Sequence, residues 1–193
     1  MADNFKERFS QAVKETETVV YSYLPEETGH QKTIFEAMNY SVKAGGKRLR
    51  PLLMREVYRL FGGNGPEIEP FMAAMAVECV HSYSLIHDDL PCMDNDEYRR
   101  GKLTTWKAYG YDMAVLAGDA LMIYAFETAS KAFSMGADPA KVGRAIGILA
   151  EKTGIYGMIG GQTVDVELTG KAIPREKLDF IYRLKTGALL EAS

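Results

Sequence analysis

Apolar residues recur along most of the chain at the three- and four-residue spacing of an amphipathic helix. The pattern predicts helices over about residues 5–20, 34–42, 52–61, 66–90, 111–135 and 139–157, and a last one after Pro174. Pro25, Gly45-Gly46 and Gly62-Gly63 follow the first three at positions typical of helix ends. Because no segment alternates between apolar and polar residues as a half-buried strand does, the predicted fold class is all-α, a packed helical bundle.

Length and composition are those of one globular domain, expected to span residues 1–193, with 47% hydrophobic and 25% charged residues. A net charge of −3 without a long basic face argues against nucleic acid as a partner. No run approaches the ~20 apolar residues that span a bilayer, and the N-terminus is unlike a signal peptide. The two cysteines, with Cys79 expected in the core, fit a reducing compartment. These features predict a cytoplasmic protein without an integral membrane segment.

One short segment concentrates charge in a way that indicates chemistry. Residues 87–101 read His-Asp-Asp-Leu-Pro-Cys-Met-Asp-Asn-Asp-Glu-Tyr-Arg-Arg-Gly. An arbitrary acidic run is usually a solvated loop, but this one comes at the end of the largely apolar stretch 77–90 and would lie at the end of a buried helix. Mg²⁺ takes one or two carboxylates plus phosphate oxygens, and the arginine fork matches phosphate. The segment therefore predicts a metal–diphosphate site.

The same string resembles the first aspartate-rich motif of the trans-isoprenyl diphosphate synthases, and most of all that of bacterial farnesyl diphosphate synthases. Other blocks resemble family segments in the same order: Gly45-Gly46-Lys47-Arg48-Leu49-Arg50-Pro51, Gly118-Asp119-Ala120-Leu121, Gly160-Gly161-Gln162-Thr163-Val164-Asp165 and Lys185-Thr186-Gly187. The resemblance implies an isoprenoid synthase-type bundle around a central cavity.

The family also has a second aspartate-rich motif, and this chain stops at Ser193 before reaching one. The chain is therefore expected to lack the C-terminal helices of the bundle. Expressed alone, it would expose the apolar residues Phe180, Leu184 and Leu189 on its last helix. We expect such a chain to be poorly soluble or self-associated, and at most weakly active.

The resemblance implies metal ligands in the acidic segment. Asp88 and Asp94 would coordinate Mg²⁺, or Mn²⁺, that bridges the allylic diphosphate, with Asp89 as a direct or indirect ligand. Pro91 cannot continue a helix, and the resulting bend would return Asp94 toward Asp88. Residues 95–97 are expected to be solvated residues at a helix end.

A second diphosphate site, for isopentenyl diphosphate, is implied for four basic residues: Lys47, Arg50, His81 and Arg100. Positive charge at a helix N-terminus opposes the macrodipole, and a bound polyanion would relieve that conflict. Taken alone, His81 would more simply be a core histidine. Arg99 would contact the allylic diphosphate, whereas Arg48 is expected to form a structural ion pair.

Catalytic roles are implied by resemblance for Lys185, Thr186 and Gln162. In the family this Lys contacts the allylic diphosphate, and a carbonyl exposed at a break in the helix faces the developing cation. As bare residues, Lys185-Thr186-Gly187 would be an ordinary helical turn. Gln162 and Asp165 rest on the resemblance as well, and close helix packing at Gly160-Gly161 is the alternative explanation of that block.

The implied reaction is head-to-tail prenyl transfer, in which isopentenyl diphosphate attacks an allylic cation inside a dry cavity. The resemblance implies that Tyr83 limits the product to the fifteen carbons of farnesyl diphosphate, although helix geometry places Ser84 directly below Asp88 and Tyr83 could simply be core. Geranylgeranyl and geranyl diphosphate synthases remain alternatives, as does a non-catalytic diphosphate-binding subunit. The resemblance also implies a homodimer.

Two observations limit these expectations. A terpene cyclase would share the acidic helix end but would not need a second diphosphate site, so that class is disfavoured. After Arg99-Arg100-Gly101-Lys102 the family usually has Pro-Thr and then His two residues on, where this chain has Leu103, Thr104, Thr105 and Trp106. The local loop is therefore expected to differ, and Trp106 receives no role.

Overall fold

The computed structural model describes residues 2–78 and 82–193, which form two compact units, one up to residue 135 and one from residue 136. The helices of the first unit are α1 (Ala2–Ser22), α2 (Lys32–Val42), α3 (Leu49–Leu60), α4 (Glu69–Glu78), α5 (Tyr83–Asp88), α6 (Thr105–Tyr109) and α7 (Tyr111–Ser130), with 3₁₀ turns at Pro66–Ile68 and Lys131–Met135. Strands β1 (Tyr98–Arg99) and β2 (Lys102–Leu103) form a short antiparallel hairpin. The predicted all-α fold class is confirmed, whereas the single-domain assignment stays a prediction.

The second unit contains α8 (Pro139–Thr153), α9 (Met158–Leu168), α10 (Arg175–Ile181), a π-helical segment (Tyr182–Gly187) and α11 (Ala188–Glu191). Asp138 caps α8 by accepting a hydrogen bond from the backbone N–H of Ala140 at 2.9 Å. Leu189 is fully buried, so the expectation that it would be exposed is wrong. Phe180 and Leu184 are half-buried.

Helix α4 is the centre of the first unit, packed against α1, α3 and α7. A continuous run of its side chains is at most 5% exposed: Met72, Ala73, Ala74, Met75 and Ala76. Over residues 111–125 of α7 the fully buried hydrophobic residues recur every three or four positions: Ala114, Ala117, Leu121 and Ala125. Because three of these four are alanine, the α7 backbone can approach its neighbours α4 and α5 closely.

By length and composition, residues Tyr111–Met135 could cross a membrane, and this is the single such segment in the described part of the chain. Core helices of soluble proteins pass the same test, and α7 packs a buried face against α4. The expected absence of an integral membrane segment stays a prediction.

The helix predicted over residues 66–90 is described as two helices, because α4 ends at Glu78 and α5 begins at Tyr83. Ser84 and Asp88 share α5, as predicted. His81 and Cys79, to which the sequence assigned a diphosphate contact and a core position, lie outside the described residues.

Two further differences concern short elements. Helix α9 was not predicted, since Gly160-Gly161 are poor helix formers that interrupt its pattern. Residues 95–97 are exposed, as expected, but they lie in the loop that leads into β1 and not at a helix end. Glu97 is paired there with Lys107 at 2.6 Å.

Candidate functional site

The acidic segment leaves α5 in a tight loop that closes on itself. Leu90 accepts backbone hydrogen bonds from Met93 at 2.8 Å and from Asn95 at 3.1 Å. The N–H of Asp94 donates to the carbonyl of Asp88 at 2.8 Å. The loop therefore returns Asp94 to Asp88, as predicted, although α5 ends at Asp88, before Pro91.

Asp89 is the first residue of this loop after α5, and Arg99 binds its carboxylate. The residue Asp89 is 3% exposed, and Arg99 Nε donates to its two carboxylate oxygens at 2.8 and 3.0 Å, while Nη2 donates to Oδ1 at 2.5 Å. Burial raises the pKa of Asp89, and the hydrogen bonds and charge of Arg99 oppose that rise. Conversely, the hydrogen bond to Asp89 raises the pKa of Arg99. The ion pair holds β1 against the end of α5. The structure therefore places the predicted site residues Asp89 and Arg99 in direct contact.

The donor set of the loop fits a hard divalent cation. Within the described residues, no three His, Cys, Asp or Glu side chains converge as a complete metal site. Asp88 and Asp94 nevertheless supply two carboxylates from the ends of one closed loop. Mg²⁺ typically takes one or two carboxylates and completes its shell with phosphate oxygens and water. The metal roles of Asp88, Asp89 and Asp94 stay predictions.

The segment between α2 and α3 owes its shape to a buried arginine. Arg48 has φ +48° and is 4% exposed, with Nε 3.2 Å from Glu17 Oε1 on α1. Its Nη2 donates to the Val42 carbonyl at 2.7 Å and to the Tyr21 hydroxyl at 3.3 Å. The predicted structural ion pair of Arg48 is confirmed, and it ties the end of α2 to α1 and to the start of α3.

Arg100 lies against the same segment. A Cβ placed on Gly46, which has φ +148°, would be 2.9 Å from Nη1 of Arg100. Burial, together with the charges of Arg48 and Arg99, lowers the pKa of Arg100. Several cations therefore surround this backbone, which is a suitable setting for an anion.

The other two basic residues predicted for this site, Lys47 and Arg50, follow Gly46 closely in the chain. Lys47 is exposed directly before the buried Arg48, and Arg50 is half-buried in the first turn of α3. A cavity of about 20 Å³, room for about one water molecule, lies nearby between Asp89, Arg99 and Arg100. Binding of isopentenyl diphosphate by Lys47, Arg50 and Arg100 stays a prediction.

Of the two positions that depart from the family pattern, Leu103 and Trp106, the Trp106 side chain has a structural role. Trp106 Nε1 and Thr104 Oγ1 each donate to the Asp96 carbonyl at 2.8 Å. The Leu103 carbonyl accepts a hydrogen bond from the Tyr40 hydroxyl at 2.7 Å, a contact that does not depend on the side chain at 103. The residues after the arginines therefore hold the acidic loop in place.

The two residues predicted to set chain length lie on α5. Tyr83 is 4% exposed, and its ring meets that of His87 edge-on, with centroids 6.1 Å apart. Ser84 is half-buried. Burial fits both a core residue and the floor of a hydrocarbon pocket, so the chain-length role stays a prediction.

In the second unit, the segment predicted to break the helix is a π-helical distortion that continues from α10 to α11. Residues Tyr182–Gly187, which include Lys185 and Thr186, are π-helical, a distortion often found at functional sites. Lys185 Nζ lies 2.6 Å from Asp165 Oδ2 on α9. A Cβ on Gly161 would be 2.3 Å from the backbone nitrogen of Lys185, which confirms the close helix packing at this glycine.

Gln162 is half-buried on α9, and Thr186 is exposed. Their catalytic roles stay predictions.

Sequence reasoning assigned no role to His87 or to Gly118-Asp119. In the structure these residues contact one another, because His87 Nε2 lies 3.7 Å from Asp119 Oδ1 and occupies the space where a Gly118 side chain would be. The sequence did contain a signal for this contact. Gly118 is a glycine inside an otherwise apolar helix, and it lies in one of the blocks that resemble the family.

Comparison with known proteins identifies the family. The family model described as polyprenyl synthetase matches residues 31–193, and the chain belongs to this family of prenyltransferases. It is 50% identical over 161 residues to a chloroplastic geranylgeranyl pyrophosphate synthase of Capsicum annuum, a match that covers 83% of this chain and 43% of that protein. It is 42% identical over 194 residues to a farnesyl diphosphate synthase of Geobacillus stearothermophilus, covering 100% of this chain and 64% of that one.

Among solved structures, an FPP/GFPP synthase from Zymomonas mobilis matches with a TM-score of 0.89 and 39% identity, covering 100% of this chain and 70% of that one. The match confirms the predicted isoprenoid synthase fold. The chain spans 43% to 64% of the length of the two curated relatives above.

Proposed function

We propose that this protein is a metal-dependent prenyltransferase that joins isopentenyl diphosphate to an allylic diphosphate and gives farnesyl diphosphate. The observation that carries this proposal is the position of Arg100, which lies against Gly46. Its neighbour Arg99 is bonded to Asp89 at the acidic loop. We call residues 88–94 the acidic loop and residues 45–50, which include the start of α3, the basic loop. The acidic loop is suited to a metal and the basic loop to a diphosphate. Two consecutive arginines, Arg99 and Arg100, therefore connect them.

The basic loop would bind isopentenyl diphosphate without metal. Lys47 and the guanidinium groups of Arg50 and Arg100 match the charge and geometry of a diphosphate. Burial and, after it, the charges of Arg48 and Arg99 lower the pKa of Arg100, and a ligand anion would offset that repulsion. Binding there would hold the double bond of isopentenyl diphosphate for attack on the allylic partner.

Asp88 and Asp94 would hold Mg²⁺, or Mn²⁺, through their carboxylates. When bound, the metal would stabilise negative charge on the departing diphosphate. In the second unit, Lys185, which is paired with Asp165 at 2.6 Å, would supply a positive charge to a substrate diphosphate. The C–O bond of the allylic substrate breaks, a C–C bond to isopentenyl diphosphate forms, and one proton and inorganic diphosphate are released.

Farnesyl diphosphate is the proposed product because the buried ring of Tyr83 would close a hydrocarbon pocket below Asp88. Geranylgeranyl diphosphate is the second candidate, since relatives that carry that name share 49% to 51% identity with this chain. A homodimer and a cytoplasmic location belong to the proposal as well. The mass of the protein in solution would test the homodimer.

Mass spectrometry tests the reaction. The purified protein is incubated with isopentenyl diphosphate, geranyl diphosphate and Mg²⁺, and omission of one substrate at a time provides the control. We expect farnesyl diphosphate and inorganic diphosphate, even at a low rate, and neither in an Asp88→Ala variant. A product of twenty carbons would favour the second candidate, whereas binding of both substrates without any product would indicate a non-catalytic subunit.

A further inference from the structure

The last residue before the paired aspartates, His87, is fixed to helix α7 by its side chain. Nε2 lies 3.2 Å from the carbonyl oxygen of Val115. Because a carbonyl only accepts hydrogen bonds, Nε2 carries the proton and donates. The contact joins the last turn of α5 to the interior of α7, near the exposed carboxylate of Asp119.

Gly118 provides the space that this contact needs. A Cβ at position 118 would lie 2.1 Å from Nε2 and 2.5 Å from Cδ2 of His87, closer than atoms can approach. Any other residue would therefore displace the imidazole. A glycine within a helix costs about 1 kcal/mol relative to alanine, and seating His87 accounts for its presence.

The backbone of His87 also shapes the acidic loop. Its carbonyl accepts a hydrogen bond from the N–H of Leu90 at 3.1 Å. The next carbonyl, that of Asp88, accepts from Asp94 at 2.8 Å. A shift of His87 would therefore be transmitted directly to the turn that returns Asp94 to Asp88.

We propose that His87 is a positioning residue. Its ring fills the space left by the absent side chain of Gly118 on α7, here called the Gly118 notch. This contact fixes the C-terminal end of α5 so that Asp88 and Asp94 bind one metal ion. His87 does not touch the substrate. This inference rests on the proposed function, in which those two carboxylates bind a metal–diphosphate complex. It gives a role to the Gly118-Asp119 block, which the proposed reaction leaves without one.

The first experiment compares two glycine-to-alanine variants. Gly118→Ala pushes the imidazole out of its notch, whereas Gly143→Ala, on α8, adds a methyl group to open space and serves as the control. Binding of Mn²⁺ in the presence of inorganic diphosphate is measured from the electron paramagnetic resonance of free Mn²⁺. We expect Gly118→Ala to weaken binding by about tenfold or more, as loss of a residue that orients a metal ligand does. Gly143→Ala should bind as the wild type does.

The second experiment shows whether the effect passes through His87. In a His87→Ala background there is no ring to displace, so adding Gly118→Ala should weaken Mn²⁺ binding no further. His87→Gln, which keeps an N–H donor at a similar reach, should retain most of the affinity. Equal affinity of the Gly118→Ala and Gly143→Ala proteins would overturn the inference, as would an undiminished effect of Gly118→Ala in the His87→Ala background.

Mn²⁺ binding and urea unfolding distinguish the positioning role of His87 from a wrong metal site and from a purely structural role. If the wild type binds no Mn²⁺ with diphosphate, the proposed metal site is wrong and the positioning role falls with it. If the wild type binds and the His87 and Gly118 variants bind equally well, the positioning role alone is wrong. Urea unfolding identifies a merely structural role, which would lower stability and leave the affinity of the folded protein unchanged.

Discussion

At the scale of single residues, the buried pair of Asp89 and Arg99 decides how the acidic loop is held. The Asp89 side chain is 4% exposed and that of Arg99 is 31% exposed. A buried charge that loses its partner is strongly destabilising, whereas an exposed pair contributes little. The stability of this region should therefore depend on the pair and not on the many surface ion pairs.

Arg99→Ala should lower the free energy of unfolding by about 2 to 4 kcal/mol near neutral pH, less than a fully enclosed pair because water reaches Arg99. Without Arg99, the pKa of Asp89 rises further above its unfolded value of about 3.9. A raised carboxyl pKa gives stability that is present at low pH and lost as pH rises through the folded pKa. The loss should therefore shrink as the pH falls from about 8 to about 5, as measured by urea unfolding.

The control for this prediction is Arg175→Ala, which removes an exposed pair with Asp179 and should change stability by less than about 0.5 kcal/mol. If Arg99→Ala proved no more destabilising than this control, or lost more stability at acidic pH, the account of the buried pair would be incorrect.

Tyr83 sets product length if its ring closes the hydrocarbon pocket. Tyr83→Ala removes a buried ring and should yield products longer than those of the wild type, analysed by mass spectrometry. It should also lower stability by about 3 to 5 kcal/mol, the usual cost of losing a buried aromatic side chain. Tyr83→Phe keeps the ring and should keep the product; an unchanged product from a folded Tyr83→Ala protein would refute the assignment.

At the scale of secondary-structure elements, the packing of α9 against the π-helical segment positions Lys185. The two elements approach so closely at Gly161 that an added Cβ would meet the Lys185 backbone nitrogen at 2.3 Å and the Leu184 Cβ at 3.0 Å. Backbone atoms cannot move aside as the end of a long side chain can. The ion pair of Lys185 with Asp165 depends on this approach.

Gly161→Ala should therefore destabilise the protein by about 1 to 3 kcal/mol, the usual range for overpacking. Gly147→Ala is the matched control, since it lies on α8 with no atoms near its added Cβ. That change should stabilise the protein by up to about 1 kcal/mol through helix propensity. Thermal unfolding followed by circular dichroism measures both variants, and equal melting temperatures would rule out the proposed contact.

The sequence predicted those elements whose apolar spacing is uninterrupted. Helices α1, α2 and α7 follow the expected ranges closely, because their buried faces alone give the pattern. Helix α9 was missed since its glycines serve contact with another segment, which no local pattern reveals. The β1–β2 hairpin was missed because its strands are two residues long.

The candidate site was predictable only in part, for a similar reason. Residue types and motif order indicated the acidic and basic segments, and the bend expected from Pro91 correctly predicted that Asp94 returns to Asp88. Pairing of Asp89 with Arg99 and seating of His87 beside Gly118 depend on contacts between distant elements. Spacing along the chain carries no information on such contacts.

At the scale of the whole molecule, the central claim is that the chain has two separate diphosphate sites, one that depends on metal and one that does not. The basic loop carries Arg50, and the acidic loop carries Asp88, whose carbonyl is bonded to the N–H of Asp94. Variants of these two residues should therefore affect different ligands.

Isothermal titration calorimetry tests this claim most directly. Isopentenyl diphosphate should bind to the wild type and to Asp88→Ala in the presence of a chelator, and its binding should be lost in Arg50→Ala. Geranyl diphosphate should bind only with Mg²⁺, should not bind to Asp88→Ala, and should still bind to Arg50→Ala. If isopentenyl diphosphate required the metal, or if either substitution abolished binding of both ligands in a folded protein, the two-site account would be contradicted.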